Sequence, residues 1–568
     1  MKKNLFIYAI GALVGLTGFT GCQDMFDIDS DQVINTDDYS LDAPTDSVYS
    51  VMGIIHSMQR IADRTILFGE LRGELAQLTT SANLDLQALA NFTADVENAY
   101  NKPQDYYHVI QNCNYFLANV DTALKKRNQP VFIKEFAAVK AFRAWTYLQL
   151  AQVYGSVPFI TEPINVEKQA DPSKYEKKDI QALCDYFIED LKPFIDTELP
   201  GYGSIGGYNS SYFYIPVRLL LGDMCLWTGR YKEAATYYHD YLTHVDAPRP
   251  LGTSAVEWYD AMREFDSYSD SWSGVFQSYS GSEHLVIIPM ESNKFEGIVS
   301  DLVNVFNSTQ DNQYYFQATI SPAYRELSRQ QQNCKVFTYT VDNIIRKDTL
   351  YAPAENPWSD DAVGDLRLFS MYTKGTISSP SSSNYSKEYQ QISKFGRHVP
   401  LYRKTLVYLR YAEAMNRAGF PTTAFSVLKY GLNKDNISLY VDTNEVKAAA
   451  GTNLLTWDER YFTVDNTIGI HSRGAGNSAA NAFYVIPSLA SLNDTINYVE
   501  NLICDELALE SAFEGFRFYD LMRLAMRKED NAFLATKIAG RKGASQFDQA
   551  LYNKLLIRDN WFLPLKRE

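Results

Sequence analysis

Residues Gly222–Tyr238 read GDMCLWTGRYKEAATYY. Gly222 and Gly229 stand seven apart, Tyr231 follows, and Ala234 comes five after Gly229. Val217, Leu220, Leu221 and Met224 recur at helical spacing on the approach to this stretch. Small residues at such offsets let two antiparallel helices come close together. Ala412, Gly419 and Ala424 repeat the same offsets, and two matches at identical spacing argue against a chance hairpin.

The pattern resembles a tetratricopeptide repeat. Working outward, residues from about Thr45 to Leu242 carry helical periodicity. Tyr106, Ile110, Cys113, Leu117 and Val120 mark one apolar face; Phe142, Trp145, Leu148 and Ala151 mark another, ended by Gly155 and Pro158. The helix from Phe136 to Tyr154 is a candidate for a diverged pair. Long insertions separate the repeats, so the chain is no pure solenoid. From about Asp246 to Pro400 periodicity fades and Ser, Asn, Gly, Tyr and Trp dominate. Alternation over His284–Met290 and Lys335–Val341 predicts short strands, and Ser378–Ser386 is a Ser-rich loop. Overall the class is mainly α, with an irregular loop-rich region and short strands.

The 568 residues carry 53 Lys+Arg against 68 Asp+Glu, a net charge of −15, which argues against nucleic acid as a partner. Tyrosine is abundant, at 40. Its flat apolar ring and polar tip suit gripping polar ligands by stacking. Aromatic side chains on loops are better placed for this than those in helical stripes, which singles out Trp258, Tyr259, Trp272, Tyr279 and Trp358. The sequence has no HExxH, GxSxG or phosphate-cradling Gly-Lys-Ser/Thr loop. Its seven His form no ligand pair at i,i+4, and the irregularly spaced cysteines suggest neither a disulfide framework nor a metal cluster. No cofactor is expected.

At the N-terminus, Lys2 and Lys3 precede an apolar run from Leu5 to Phe19 that is too short to span a bilayer and reads as a signal peptide over 1–21. Phe19-Thr20-Gly21-Cys22 resembles a bacterial lipobox, although Phe19 departs from the usual aliphatic residue. Cys22 would then become the lipidated first residue. Asp24, Asp27, Asp29 and Asp31 follow, resembling the surface-export signal of Bacteroidetes lipoproteins. Residues 22–44 read as a tether of about 20 residues, reaching roughly 25 Å as a flexible coil. Beyond it the expected division is a helical region over 45–245 and a second region over 246–568, loop-rich to 400 and helical from 401.

Several stretches, in order, resemble the SusD/RagB family of outer-membrane nutrient-binding lipoproteins. They are Glu70-Leu71-Arg72-Gly73-Glu74, the NCNYFL core of Tyr106–Leu117, KAFRAWTYLQLAQVYGSVPFITEP from Lys140, Gly364-Asp365-Leu366-Arg367, YLRYAEAMNRAG from Tyr408, ESAFEGFRFYDLMR from Glu510, and NWFLPL from Asn560. The resemblance implies a SusD-like fold of four tetratricopeptide-like helix pairs and no catalysis. It also implies an outer-membrane lipoprotein facing the exterior, acting as lid on a SusC-type TonB-dependent transporter. The cargo would be an oligosaccharide or, as the main alternative, a peptide. By the same analogy Arg72 and Glu74 lie near the ligand, or else pair with each other or with backbone. His471 and Arg473, in the Gly469–Gly474 loop, would contact ligand or barrel, or form a tight turn. Glu510, Glu514 and Arg517 lie at helical spacing and can pair along one face, with Gly515 permitting close backbone approach. A surface glycoside hydrolase and a purely structural adaptor are the competing classes.

Overall fold

The computed structural model describes residues 44–565 apart from 260–266, 278, 280–282, 309–315, 332–333, 352–363, 379–385 and 476–479. The signal peptide, Cys22 and most of the tether therefore lie outside the described residues. The Gly222 stretch forms a helical hairpin, Val217–Trp227 and Tyr231–Leu242. Gly229 takes φ +74°, a conformation that L side chains disfavour, and the Arg230 N–H donates back to the Cys225 carbonyl at 2.8 Å. Gly222 has no side chain because the Tyr238 ring fills that space: a Cβ there would sit 2.5 Å from the ring.

The second hairpin, Lys404–Arg417 and Pro421–Lys429, repeats this geometry. Gly419 has φ +95°, the Phe420 N–H donates to Met415 O at 2.9 Å, and Ala412 and Ala424 are buried. A third hairpin, Arg517–Lys528 and Asn531–Ala539, has the same turn: the Asp530 N–H reaches Ala525 O at 3.0 Å. Here the left-handed residue is Glu529, at φ +52°, and Met522 and Leu534 stand at the small-residue offsets. That substitution hides the repeat from sequence. The fourth pair, Pro103–Asn119 and Ile133–Tyr154, is joined through the short ladder Lys125–Lys126/Gln129–Pro130.

Ile133–Tyr154 is buried on nearly every side, more than its one-face pattern suggested. Pro103–Asn119, Ile180–Leu191 and the first helix, Pro44–Leu71, all pack on it. Gly155 ends it at φ +76°, and Val157–Pro158 leaves as a strand. Helices from the two halves of the chain also pack together: Lys404–Arg417 lies on Tyr231–Leu242, and the first helix lies against Arg517–Lys528.

The strands among the described residues form two-stranded antiparallel ladders. His284–Ile288 pairs with Val399–Arg403, and Ala76–Leu78 pairs with Ala318–Ile320. Cys334–Val341 folds back on Ile344–Tyr351 through Asp342 and Asn343, both at positive φ, as a two-residue hairpin turn requires. Tyr372–Ser378 and Ser386–Ile392 flank the Ser-rich stretch, and Val256–Tyr259 pairs with Ser267–Asp270.

Where the first helix meets the turn before Arg517, two backbones touch. A Cβ on Gly69 would stand 1.8 Å from the Gly515 carbonyl oxygen. Gly53, on the same helix, has nothing within 4 Å. Gly69→Ala is therefore expected to cost about 3 kcal/mol or more by overpacking, while Gly53→Ala leaves stability unchanged or raises it by up to about 1 kcal/mol. Urea denaturation of the two variants checks this; equal midpoints would contradict the contact.

Candidate functional site

Within the apolar interior of the second half lies a cluster of buried charges. Glu510, in the last turn of helix Leu492–Ser511, is its centre. Its Oε1 accepts from Arg403 Nη1 at 2.9 Å and Arg473 Nη1 at 3.3 Å, and its Oε2 from Arg367 Nη1 at 3.0 Å. Trp272 Nε1 donates to Oε1 at 3.3 Å. Each guanidinium has further partners, although Arg473 Nε has none. Arg403 also grips Glu514 and Glu283; Arg367 also grips Asp365 and Glu506; Arg473 also bonds Glu283, Thr405 and the Leu251 carbonyl. Lys394 Nζ donates to Glu514 Oε1 and the Glu510 carbonyl, each at 2.7 Å. The planar five-donor fork of arginine suits this many-partnered role. Burial alone would raise the Glu283 carboxyl, but Arg473 and Arg403 outweigh it and hold the group at about 2. Burial likewise acts to raise Glu510, and Arg403, Arg473 and Arg367 carry it well below the usual carboxylate range.

Most of the residues singled out from sequence fall in or beside this interior. Trp272 and Arg473 are 0 % exposed, so neither can touch an external oligomer. His471 is buried, bonded through Nδ1 to Glu506 at 2.6 Å and stacked on Tyr484 at 3.8 Å. Tyr279 is buried, its hydroxyl on the His398 carbonyl at 3.2 Å. Arg72 is buried too: one Nη donates to the Trp561 carbonyl, and its guanidinium lies 4.2 Å from the Phe518 ring centroid and 4.9 Å from that of Phe92. Glu74 takes a forked pair of bonds from Arg517 Nε, both 3.0 Å. Arg72 and Glu74 thus serve the frame, and not through each other. All six are buried and bonded within the fold; polar residues in irregular segments read as surface loops when their distant partners are unknown. Trp258 and Tyr259 lie on strand Val256–Tyr259, with side chains outside the described residues; Trp358 is outside them altogether. The one-face pairing of Glu510, Glu514 and Arg517 needs correction. The helix stops at Ser511, Phe513 and Gly515 take positive φ, and Arg517 opens a new helix turned toward Glu74.

That turn holds one further buried acid. Glu70 is 0 % exposed; its Oε1 accepts the Gly515 N–H at 2.8 Å, while its Oε2 has no partner. Burial pushes its pKa up from 4.5 to about 7. Backbone N–H groups of Phe513 and Gly515 and the charge of Lys394 pull it down, and Glu514 adds to the rise.

An open cavity lies elsewhere, a groove of about 340 Å³ between residues 77–91 and 538–551. Gln77, Thr79, Thr80, Gln87 and Asn91 supply amides and hydroxyls on one side; Arg541, Lys542 and Asp548 supply charges on the other. Two interior cavities measure only about 40 and 20 Å³. Ladder Ala76–Leu78/Ala318–Ile320 holds one wall, and Arg541 ties the other to it through the Leu71 and Ala90 carbonyls at 3.1 and 2.6 Å. None of these residues forms a motif, and the walls are more than 440 positions apart, so sequence gave no signal for the groove.

Residues 304–555 match the SusD family. Solved structures share the fold over most of the molecule. A SusD superfamily protein from Bacteroides fragilis is 14% identical, with 90% of this chain and 95% of that chain covered and a TM-score of 0.56. A SusD-like carbohydrate binding protein from the same species is 12% identical, covering 87% and 88%, at 0.53. A SusD-like carbohydrate binding protein from Bacteroides vulgatus is 16% identical, covering 86% and 84%, at 0.51. At such identities the likeness is one of fold. No curated protein matches the sequence.

Two outcomes follow from the buried groups. Trp272→Ala should lower stability by about 3–5 kcal/mol, the range for a fully buried tryptophan; thermal unfolding measures it, and a stable mutant would refute the interior placement. For Glu70 the folded state holds the proton more tightly than the unfolded chain. Its contribution is intact below about pH 4.5 and is lost as pH rises through about 7, to a total of about 3 kcal/mol. Glu70→Gln removes that loss, so the variant should gain on the wild type between pH 5 and 8 in urea titrations. A constant difference across that range would show that Glu70 titrates normally.

Proposed function

We propose that this chain is a surface lipoprotein of the outer membrane that binds an oligomeric nutrient, a glycan in the first instance, and closes over a SusC-type TonB-dependent transporter. The observation that carries the binding reading is the open groove on a SusD fold, walled by side chains that both donate and accept hydrogen bonds. A sugar rim presents hydroxyls that need such mixed partners. Solved relatives of the same fold are described as carbohydrate binding, which supports the choice of cargo. Leu78 and Leu551 add a little apolar surface to the groove, and this favours the second reading, a peptide cargo whose side chains they would cover.

Membrane attachment in this reading rests on acylation of Cys22. No helix among the described residues is long and apolar enough to cross a membrane, and several acyl chains give stable anchoring where one is marginal. A binding role rather than hydrolysis agrees with the state of the carboxylates Glu510 and Glu514. Both are buried and committed to arginines, whereas a glycosidase needs one carboxyl free to give up a proton to a bound sugar. Calorimetry of the full-length protein against a glycan panel and a peptide pool tests the cargo, and a reducing-end assay on the same mixtures tests for hydrolysis. Saturable binding of a glycan with no new reducing ends is expected. Binding confined to peptides, or release of sugar, would overturn the proposal. Cys22→Ala should abolish labelling by radioactive palmitate and release the protein from membranes.

A further inference from the structure

The cations around the groove outnumber its carboxylates: Arg541 and Lys542 line it, with Asp548 opposite in charge. Arg541 is 6 % exposed, yet all its hydrogen bonds go to backbone carbonyls, those of Leu71, Ala90 and Ile538. Burial lowers its pKa only to about 10, so it stays charged at neutral pH. One residue beyond Leu71, Arg72 repeats the situation. It is buried, bonded to the Trp561 carbonyl and to aromatic faces, with Nε and Nη1 unpartnered. Lys554, next to the groove, spends its ammonium on the Phe92 carbonyl. Exposed Lys542 stands on the groove wall with no ion pair among the described residues. Of the negative groups nearby, Glu74 is offset by an ion pair with Arg517, while Asp548 and Asp85 bond neutral N–H groups and keep their charge. Asp548 caps the helix Gln549–Leu555 by accepting the Leu551 N–H at 2.9 Å, and Asp85 accepts the Ala99 N–H. In a chain of net charge −15, the groove lining carries two cations against one carboxylate. Low-dielectric walls strengthen the field of a buried charge reaching a cleft.

We propose that the groove between residues 77–91 and 538–551 selects oligosaccharides carrying acidic substituents, carboxylate or sulfate, with Lys542 as the direct contact and Arg541 as the buried source of positive potential. This deepens the nutrient-binding reading and rests on it. The neutral amides of Gln77 and Asn91 would serve the hydroxyls, and the cations the acid groups. A charge-assisted hydrogen bond to an anion is about twice as strong as a neutral one, so discrimination between acidic and neutral sugars of one length is expected to be about tenfold or more.

The test uses the full-length protein in detergent and calorimetry against four probe sets of equal length: uronate-containing oligosaccharides, sulfated oligosaccharides, neutral oligosaccharides and polyglutamate. Either acidic sugar set should bind at least about tenfold tighter than the neutral set, and which of the two binds identifies the acid group. Lys542→Glu should weaken that binding about tenfold or more while leaving the unfolding midpoint unchanged, because the side chain is exposed. Added salt should weaken wild-type binding. Equal affinity for neutral and acidic sugars, or a Lys542→Glu variant that binds acidic sugars normally, overturns the inference and leaves glycan binding standing. Binding of polyglutamate in preference to every sugar, or of no sugar at all, overturns the nutrient-glycan reading itself.

Discussion

The carboxylate of Glu510, held among three buried arginines, is the interaction on which the second half of the molecule depends. Arg367, Arg403 and Arg473 come from a short helix, the end of a strand and a single-turn helix, with Glu283, Asp365, Lys394, Glu506 and Glu514 completing the set. An ion taken out of water costs several kcal/mol unless its partners are in place. The segments 283, 365–367, 394, 403–405, 471–473 and 506–514 must therefore arrive together. Irregular chain with little secondary structure of its own acquires one arrangement in this way, because any other leaves a buried charge unpaired.

The helical half obeys a different constraint, the distance of closest approach between backbones. Gly222 admits the Tyr238 ring, and Gly69 meets Gly515 with no room for a methyl group. Three hairpins turn through one left-handed residue each, at Gly229, Gly419 and Glu529. The two constraints meet at residues 510–517, where the helix carrying Glu510 ends, Gly515 touches the first helix and Arg517 reaches Glu74. This short stretch joins the charge network, the first helix and the last hairpin, which explains why ESAFEGFRFYDLMR is so distinctive a run.

Aromatic and polar residues in the middle of the chain drew attention as ligand contacts because loops usually lie at the surface. In this fold much of that region is interior. Trp272 supplies a hydrogen bond and a ring face to the ionic cluster, with Lys394 5.1 Å from its centroid, and Tyr279 and His471 are likewise consumed by packing. The groove carries no sequence signal for the complementary reason. Its walls are ordinary Gln, Thr, Asn and Lys residues, individually unremarkable, whose only distinction is that the fold sets them opposite one another.

Sequence alone determined what local spacing can encode. The two glycine-marked hairpins, the stop at Gly155, the strands near His284 and Lys335 and the mainly α class all follow from periodicity, turn residues and small side chains within about 40 positions of one another. The motif runs also sufficed to indicate the family. Tertiary structure decided everything set by long-range partners. Glu74 meets Arg517, Trp272 meets Glu510, and residues 77–91 face 538–551 across the full length of the chain. A carboxylate's role depends on which cation lies within about 3 Å of it, and nothing in the residues beside it in sequence specifies a partner hundreds of positions away.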